Sequence, residues 1–350
     1  MHKVLIVGSD KIFAIENFYS KYLKEFGVNI DKFCASDLFI DYYEASIFNK
    51  LIVKAGLSSI YKTINKRFKQ KIKDYRPDII LVFKGMEILP DSLVWAKSRN
   101  IKLVNYNPDN PFIFSGKGSG NRNVTDSIAL YDLHLTYDHW VKKKVEQEYH
   151  LKAEILPFAF DNDDTLFNEC CRQQEVVKLC FLGNPDFKRA AFIKALAEEG
   201  ITIDVFGIGW KNFLRHPNIK LFDPALGIET WKTLRRYRVQ LNLMRAHNEN
   251  SHNMRTFEVP GIGGIMVAPD TEDHRVFFKD GEEIFLYKDV AECAVIIRNL
   301  LCIKFEEANK LRRNARKRSL SSGYSYKERA QLLWDYLKTL NGQSVPLKSL

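Results

Sequence analysis

Short apolar runs alternate with longer amphipathic stretches along most of the chain, and this alternation constrains the fold more than any other feature. Six runs in the first half are typical of β-strands, namely 4–8, 28–34, 79–83, 103–107, 133–137 and 155–158. Helix-like segments separate them, notably 13–26 and 51–75. The run 79–83 is apolar at every position, as in a parallel strand that is buried on both faces. Strands with helices between them predict an α/β fold with a covered parallel sheet.

The alternation stops in a polar stretch between residues 161 and 175 and then begins again. The later strand-like runs are 177–182, 201–206, 219–222, 239–244 and 264–267. The sequence therefore predicts two doubly wound domains, 1–165 and 166–322, followed by a C-terminal helix and tail at 323–350. A length of 350 residues suits two domains of ordinary size. Open parallel sheets bind ligands at the carboxyl ends of their strands, so we expect the site in a cleft between the domains.

Composition and charge exclude several classes of protein. Hydrophobic residues make up 45% of the chain, which excludes wholesale disorder. No run reaches the roughly 18 apolar residues of a membrane span, and the six cysteines show no zinc-binding spacing. A reduced, cytoplasmic protein is expected. The net charge of +10 favours an anionic partner. No nucleic-acid-binding motif accompanies this charge, so we do not expect the protein to bind nucleic acid.

The helix-like segment before residue 76 has one apolar and one basic face. Its apolar residues recur at about every fourth position and are expected to face the core. Its basic residues include Lys62, Lys66, Arg67, Lys69, Lys71 and Lys73, and the possible membrane contact is assigned to all of these except Lys71. This basic face could rest on an anionic membrane, as at the inner face of the cell membrane, or it could simply be solvated.

Residues 253–267 combine a helix start with a Gly-Gly stop before an apolar run. The N-terminus of a helix beginning near Asn253 offers unpaired N–H groups and a positive dipole end, which suits a diphosphate. Arg255 would add a charge-assisted contact to the phosphates, and Glu258, about one turn on, could accept the hydroxyls of a ribose. The alternative is an ordinary helix with these two side chains exposed and a glycine cap at Gly263.

The same segment resembles the nucleotide-sugar motif of the CgeB-like, group-1 type glycosyltransferases. Their C-terminal domains show an N-x-R-x-F-E-x-x-x-x-G-G pattern, carried here by Asn253, Arg255, Phe257, Glu258, Gly263 and Gly264. Residues 181–189, 278–287 and 324–330 resemble further segments of that family, so the likeness covers most of residues 100–335. It implies the GT-B fold, in which two Rossmann-like domains face each other across a cleft and a C-terminal helix returns toward the first domain.

The resemblance also implies an activity, which is sugar transfer from a nucleotide-diphosphate sugar to a saccharide, lipid-linked or protein acceptor in surface polysaccharide biosynthesis. It implies no cofactor and no metal. The donor-binding residues that it implies are Gly183, Arg189, Asn253, Arg255, Glu258 and Gly263. Retaining enzymes of this type often carry two glutamates in E-x7-E spacing, and the first position is Asn250 here, which leaves the stereochemistry open. A binding or scaffold protein of the same fold, or a sugar-nucleotide epimerase, is the alternative.

Candidates for the acceptor side follow strands of the first domain. Asp109, in the segment Asn-Pro-Asp, could act as a general base or could cap a turn. Ser9 and Lys84 follow the first and third strands, and His247 lies in the loop before the donor motif, so all three are candidates for the acceptor or the cleft. Residues 161–163 have the D-x-D form of some metal sites, but their position after a strand favours a linker.

Overall fold

The computed structural model describes residues 2–12, 14–114, 119–245 and 250–340. The chain forms two compact units. Unit 1 takes in the described residues up to Pro157 and those from Lys327 onward, and unit 2 is Phe158–Tyr326. The domain boundaries expected from the sequence lay after residues 165 and 322. The described chain therefore begins in unit 1, completes unit 2 and returns to unit 1.

Unit 1 is built on a parallel sheet of six strands, in the order β2-β1-β3-β4-β5-β6. The strands are β1 (Lys3–Val7), β2 (Asn29–Phe33), β3 (Ile79–Phe83), β4 (Lys102–Asn107), β5 (Leu133–Thr136) and β6 (Ala153–Ile155). Val4 of β1 lies opposite both Ile30 and Ile79, which fixes the register at the centre of the sheet. All five residues of β3 are buried, as its apolar composition predicts.

Among the described residues of unit 1, seven α-helices precede the entry into unit 2. They are α1 (Ile15–Glu25), α2 (Ala35–Glu44), α3 (Ile47–Lys54), α4 (Ile60–Tyr75), α5 (Pro90–Lys97), α6 (Arg122–Ser127) and α7 (His139–Tyr149). The single helix predicted at 51–75 was wrong. The chain breaks between α3 and α4, where Gly56 takes a φ of +72°, a left-handed conformation that glycine adopts without strain.

Unit 2 holds a second parallel sheet of six strands, in the order β12-β11-β10-β7-β8-β9. The strands are β7 (Val176–Leu182), β8 (Ile203–Phe206), β9 (Ile219–Phe222), β10 (Tyr237–Leu241), β11 (Met266–Pro269) and β12 (Phe285–Tyr287). The sequence did not predict β12 as a strand, because three residues are too few for a recognisable pattern. The two sheets confirm the predicted pair of doubly wound α/β units.

The helices of unit 2 are α8 (Asp164–Cys171), α9 (Phe187–Glu198), α10 (Ile228–Arg236), α11 (Met254–Gly261), α12 (Glu272–Phe277), α13 (Val290–Cys302) and α14 (Phe305–Ser321), and α15 (Tyr326–Thr339) follows them. Asp163 caps α8, since its Oδ1 accepts from the Leu166 N–H at 2.8 Å. Among the described residues, no helix combines the length and the apolar character needed to cross a bilayer.

Candidate functional site

Two glycines meet where β7 and β8 end. The carbonyl of Gly183 accepts a hydrogen bond from Trp210 Nε1 at 2.8 Å. A Cβ on Gly207 would lie 2.2 Å from this carbonyl oxygen, and a Cβ on Gly183 would lie 3.7 Å from Arg189 Nη1. In the turn after β7, the backbone of Gly183 therefore lies beside the guanidinium of Arg189 with no side chain to cover it. This is expected for a surface that a ligand approaches closely.

The Arg189 side chain reaches across the strand ends from α9. Its Nη1 donates to the Asn184 carbonyl at 3.1 Å and its Nη2 donates to the Leu243 carbonyl at 2.7 Å. Burial, together with the positive charges of Arg245 and Arg255, lowers the pKa of Arg189 to about 10, while the charge of Asp186 acts in the opposite direction. Two further guanidinium groups thus lie close enough to Arg189 to repel its charge, and Asp186, at 3.6 Å from Arg189 Nε, offsets only part of this. An anion bound at this edge of the sheet would be stabilised.

The helix α11 begins at the same edge, with Asn253 as its N-cap. The Asn253 Oδ1 accepts from the Thr256 N–H at 3.2 Å, and its Nδ2 donates to Asn242 Oδ1 at 2.7 Å. Both ends of the amide are therefore engaged within the protein. The sequence expected Asn253 to bind the donor, and the structure shows it orienting the N-terminus of α11.

Arg255 and Glu258 lie on one face of α11, as their spacing predicts. Arg255 Nη1 donates to Glu258 Oε2, and the two side chains are 27% and 10% exposed. Among the described residues, Arg255 Nε has no hydrogen-bond partner. Gly263, with a φ of +73°, lies beyond the other end of α11 and caps its C-terminus. Since eight residues of helix span roughly 12 Å, Gly263 is separated from the arginine cluster.

A buried histidine that the sequence did not single out supports α11. His274 Nδ1 lies 2.8 Å from the Pro269 carbonyl, and its Nε2 lies 2.9 Å from Thr256 Oγ1. Burial lowers the pKa of His274 to about 4, so the ring is neutral at pH 7. A neutral ring donates a hydrogen bond from Nδ1 to the Pro269 carbonyl and accepts a hydrogen bond from the Thr256 hydroxyl at Nε2. This arrangement fixes the first turn of α11 at the strand ends.

The predicted acceptor-side residues of unit 1 are Ser9, Lys84 and Asp109. They lie after β1, β3 and β4, which are neighbours in the sheet. Lys84 Nζ and Asp109 Oδ2 form an ion pair at 2.5 Å. Ser9 Oγ donates to Asp37 Oδ1 at 2.6 Å. The structure therefore brings Lys84 and Asp109 together, while the Ser9 hydroxyl is engaged with Asp37. His247 lies outside the described residues.

Glu87, in the loop after β3, is a titratable residue that sequence reasoning missed. Burial raises its pKa to about 7, with Lys84 lowering it and the carboxylates of Glu16 and Asp37 raising it. A carboxylate that titrates near neutral pH is suited to general base work. Its proximity to Lys84 in the sequence was the one available signal. In the described part of the chain, no group of His, Cys, Asp and Glu residues could hold a metal ion.

Comparisons with known proteins agree with this arrangement. Residues 188–335 match the model of a family described as glycosyl transferase-like. The structure of sucrose-phosphate synthase from Thermosynechococcus elongatus is similar, with a TM-score of 0.69 at 9% identity, over 98% of this chain and 100% of that chain. This protein has the GT-B fold.

Two further GT-B structures resemble the chain. A glycosyltransferase from Rickettsia africae gives a TM-score of 0.66 at 13% identity, over 98% of this chain and 99% of that chain. HepE of Anabaena, in complex with UDP-glucose, gives 0.65 at 14% identity, over 97% and 100%. No curated protein sequence matches the chain.

Proposed function

We propose that this GT-B protein is a glycosyltransferase whose unit 2 binds a nucleotide-diphosphate sugar. The observation that carries the proposal is the cluster of Arg189, Arg245 and Arg255 at the strand ends, beside the N-terminus of α11. The family match over residues 188–335 includes all of these residues. The UDP-glucose bound to HepE, a protein of the same fold, supports a nucleotide sugar as the ligand.

In the proposed reaction, the bond between the anomeric carbon and the diphosphate breaks as the acceptor oxygen bonds to that carbon. Negative charge grows on the departing diphosphate, and Arg189 and Arg255 would stabilise it together with the N–H groups of α11. Glu258, already oriented by Arg255, would accept the ribose hydroxyls. Preorganised cations would thus supply the charge that a metal ion supplies in other transferases.

The acceptor is proposed to bind unit 1, at the edge where Lys84, Glu87 and Asp109 gather. Asp109 is the proposed base that takes the proton of the acceptor hydroxyl if the reaction inverts configuration. Its carboxylate forms an ion pair with Lys84. Glu87 is the second candidate, because a pKa of about 7 suits a general base at neutral pH.

The finer assignment follows the resemblance to the CgeB-like enzymes, with a saccharide, lipid-linked or protein acceptor and a role in surface polysaccharide synthesis in the cytoplasm. The structure of α3 favours the lipid-linked acceptor among these. Ile47, Phe48 and Leu51 are 78%, 67% and 56% exposed on this helix, and the basic face of α4 follows it directly in the chain. Exposed apolar residues next to lysines are typical of peripheral membrane contact.

The experiment that tests the donor site is thermal unfolding with UDP, GDP, CMP, dTDP and ADP, without added metal. A ligand that binds only the folded state stabilises it by about 2.7 kcal/mol at a hundredfold excess over Kd. We expect one nucleotide to raise Tm, and Arg255→Ala to lose the shift. Lys188→Ala is the matched control, because Lys188 is exposed on α9 whereas the neighbouring Arg189 faces the strand ends.

If no nucleotide raised the Tm of the folded protein, or if Arg255→Ala showed the same Tm shift as the wild type, the proposed donor site would be wrong. Slow hydrolysis of the matching nucleotide sugar then separates an enzyme from a scaffold protein, since a binder should show none. Accumulation of an isomeric nucleotide sugar without an acceptor would instead identify an epimerase.

A further inference from the structure

A cavity of about 860 Å³ opens in unit 2 along one face of α14. α8 and the end of α10 complete its walls. The lining residues on which the argument depends are Phe167, Arg235, Arg312, Arg313, Arg316 and Lys317. Pockets for small molecules measure roughly 300–1,000 Å³, so this cavity has room for a whole organic ligand.

The cavity lies at the opposite edge of the sheet from the donor site. Arg235 comes just before β10, and Gly263, which also lines the cavity, comes just before β11. The strands are parallel, so their amino ends share one edge and their carboxyl ends share the other. Arg189 and Arg255 lie at the carboxyl edge, and a nucleotide sugar bound there would leave this cavity open.

The cavity wall carries more positive than negative charge. Arg312 Nη2 binds Glu175 Oε1 at 2.6 Å, but Arg238 Nη2 binds the other oxygen of the same carboxylate at 2.6 Å. Arg316 pairs with Asp164 at 3.2 Å. The remaining basic residues, Arg235, Arg313 and Lys317, form no ion pair with an acidic side chain in the described ranges.

The spacing of these residues along α14 adds to the repulsion. Arg312 and Arg316 are one helical turn apart, and so are Arg313 and Lys317. Like charges at this spacing destabilise a helix. An anion in the cavity would relieve both pairs.

Two buried guanidinium nitrogens point to the same conclusion. The Arg312 side chain is 2% exposed, and neither its Nε nor the Nε of Arg235 has a hydrogen-bond partner among the described residues. Burial lowers the pKa of Arg312, and the charge of Arg235 lowers it further. Positive charge that is buried and only partly paired favours an anion in the adjoining cavity.

The same cavity has an apolar part. The Arg316 guanidinium stacks on the Phe167 ring, with its Cζ 3.6 Å from the ring centroid, so this wall of the cavity is formed by two stacked planar groups. Phe305 and Leu320, near the two ends of α14, also line the cavity and are each 53% exposed. A simple inorganic anion would leave these surfaces uncovered.

We propose that this cavity binds an amphipathic phosphate, that is, a phosphate or diphosphate ester that carries an apolar body. The phosphate oxygens would contact Arg235, Arg313 and Lys317, and the apolar body would cover Phe305 and Leu320. A soluble phosphate ester and a lipid headgroup share this chemistry. The site is independent of the proposed donor site.

The test uses a cysteine that lines the cavity. Cys171 is exposed there, and Cys302 is exposed but outside the lining, so it serves as an internal control. The full-length protein is alkylated with iodoacetamide in the presence of octyl phosphate below its micelle concentration, and each site is followed by mass spectrometry. We expect octyl phosphate to slow alkylation of Cys171 several-fold and to leave Cys302 unchanged. Inorganic phosphate and octanol at the same concentration should protect far less.

Variants on α14 make the result specific. Arg313→Ala with Lys317→Ala should abolish the protection, while Lys310→Ala, an exposed lysine on the same helix outside the lining, should keep it. The double variant should also keep the Tm shift of the wild type with a donor nucleotide, which shows that it is folded. Vesicles with phosphatidic acid identify the source. Protection by vesicles indicates a lipid, and protection by the monomer alone indicates a soluble ester.

Three results would overturn the proposal. They are no protection of Cys171 by octyl phosphate, equal protection by inorganic phosphate, and protection that survives in the double variant. Equal protection by inorganic phosphate would mean that the cavity binds simple anions and that its apolar residues contribute nothing.

Discussion

At the scale of single residues, α9 shows how one position in the sequence decides a role. Lys188 and Arg189 are adjacent and both basic, and the sequence could not say which of them faces the strand ends. The structure directs Arg189 inward, where its planar guanidinium binds two carbonyls at once. A lysine lacks the planar fork of the guanidinium and cannot reproduce this two-nitrogen geometry.

Arg189→Lys therefore should lower kcat/KM for the proposed transfer by about tenfold to a hundredfold, the loss of one or two charge-assisted hydrogen bonds. Steady-state kinetics at limiting nucleotide sugar measure this change. Lys188→Ala should stay within about twofold of the wild type, since a surface substitution changes little. An Arg189→Lys variant with full activity would remove Arg189 from the donor site.

Glu87 gives a prediction for the pH dependence of stability. Burial raises its pKa from 4.5 in the unfolded chain to about 7 in the native protein. Between these values the native protein holds a proton that the unfolded chain has lost, so stability falls as pH rises through this window. Glu87→Gln should remove this contribution, and the variant should gain stability over the wild type at pH 8 but not below about pH 4.5.

Urea unfolding of the wild type and Glu87→Gln at both pH values measures this difference in the free energy of unfolding. Glu25→Gln, at an exposed position on α1, is the matched control and should follow the wild type at each pH. If Glu87→Gln and the wild type changed equally with pH, Glu87 would not have the raised pKa on which this prediction depends.

At the scale of elements, α3 and α4 differ in how they pack, which a single long helix would not allow. α4 buries Ile60, Ile64, Phe68 and Ile72 in the core of unit 1 and turns its basic residues outward. The helix α3 has no buried residue, so its apolar side chains contribute little to the core. The break at Gly56 allows the two helices to take different directions.

Membrane binding by α3 and α4 can be measured by sedimentation with phosphatidylcholine vesicles, with and without phosphatidylglycerol. We expect binding only to the anionic vesicles. Lys62→Glu with Lys66→Glu should weaken it by at least about tenfold, since each lysine near an anionic surface contributes about 1 kcal/mol. Lys24→Glu, an exposed position on α1, is the matched control. Equal sedimentation of all three proteins would argue for a merely solvated helix face.

At the scale of the whole molecule, unit 1 is discontinuous in sequence, because α15 completes it after the chain has passed through unit 2. Leu333 and Leu337 of α15 are fully buried. The Tyr336 hydroxyl donates to the Ile155 carbonyl at 3.2 Å, near the end of β6. The last described helix is thus part of the core of unit 1, although it lies next to unit 2 in the sequence.

Leu337→Ala should destabilise the protein by about 2–5 kcal/mol, the usual cost of truncating a buried leucine. Hydrogen exchange should locate the loss in unit 1 and leave the sheet of unit 2 protected. Gln331→Ala, at an exposed position on the same helix, should have little effect. Lost protection in β7 and β10 with no change in unit 1 would contradict the assignment of α15.

The sequence by itself determined the features that depend on local periodicity. The strand pattern predicted a run at every described strand except β12, although β6 shares only Ile155 with the predicted run 155–158. The spacing of Arg255 and Glu258 placed both on one helical face, because neighbours along an element are fixed by its geometry. It could not foresee contacts over long separations. Arg189 meets Leu243 across 54 residues, Arg312 meets Glu175 across 137, and the pKa of Glu87 depends on burial by distant segments. Such contacts follow from the order of the strands in the sheet, which only the tertiary structure decides.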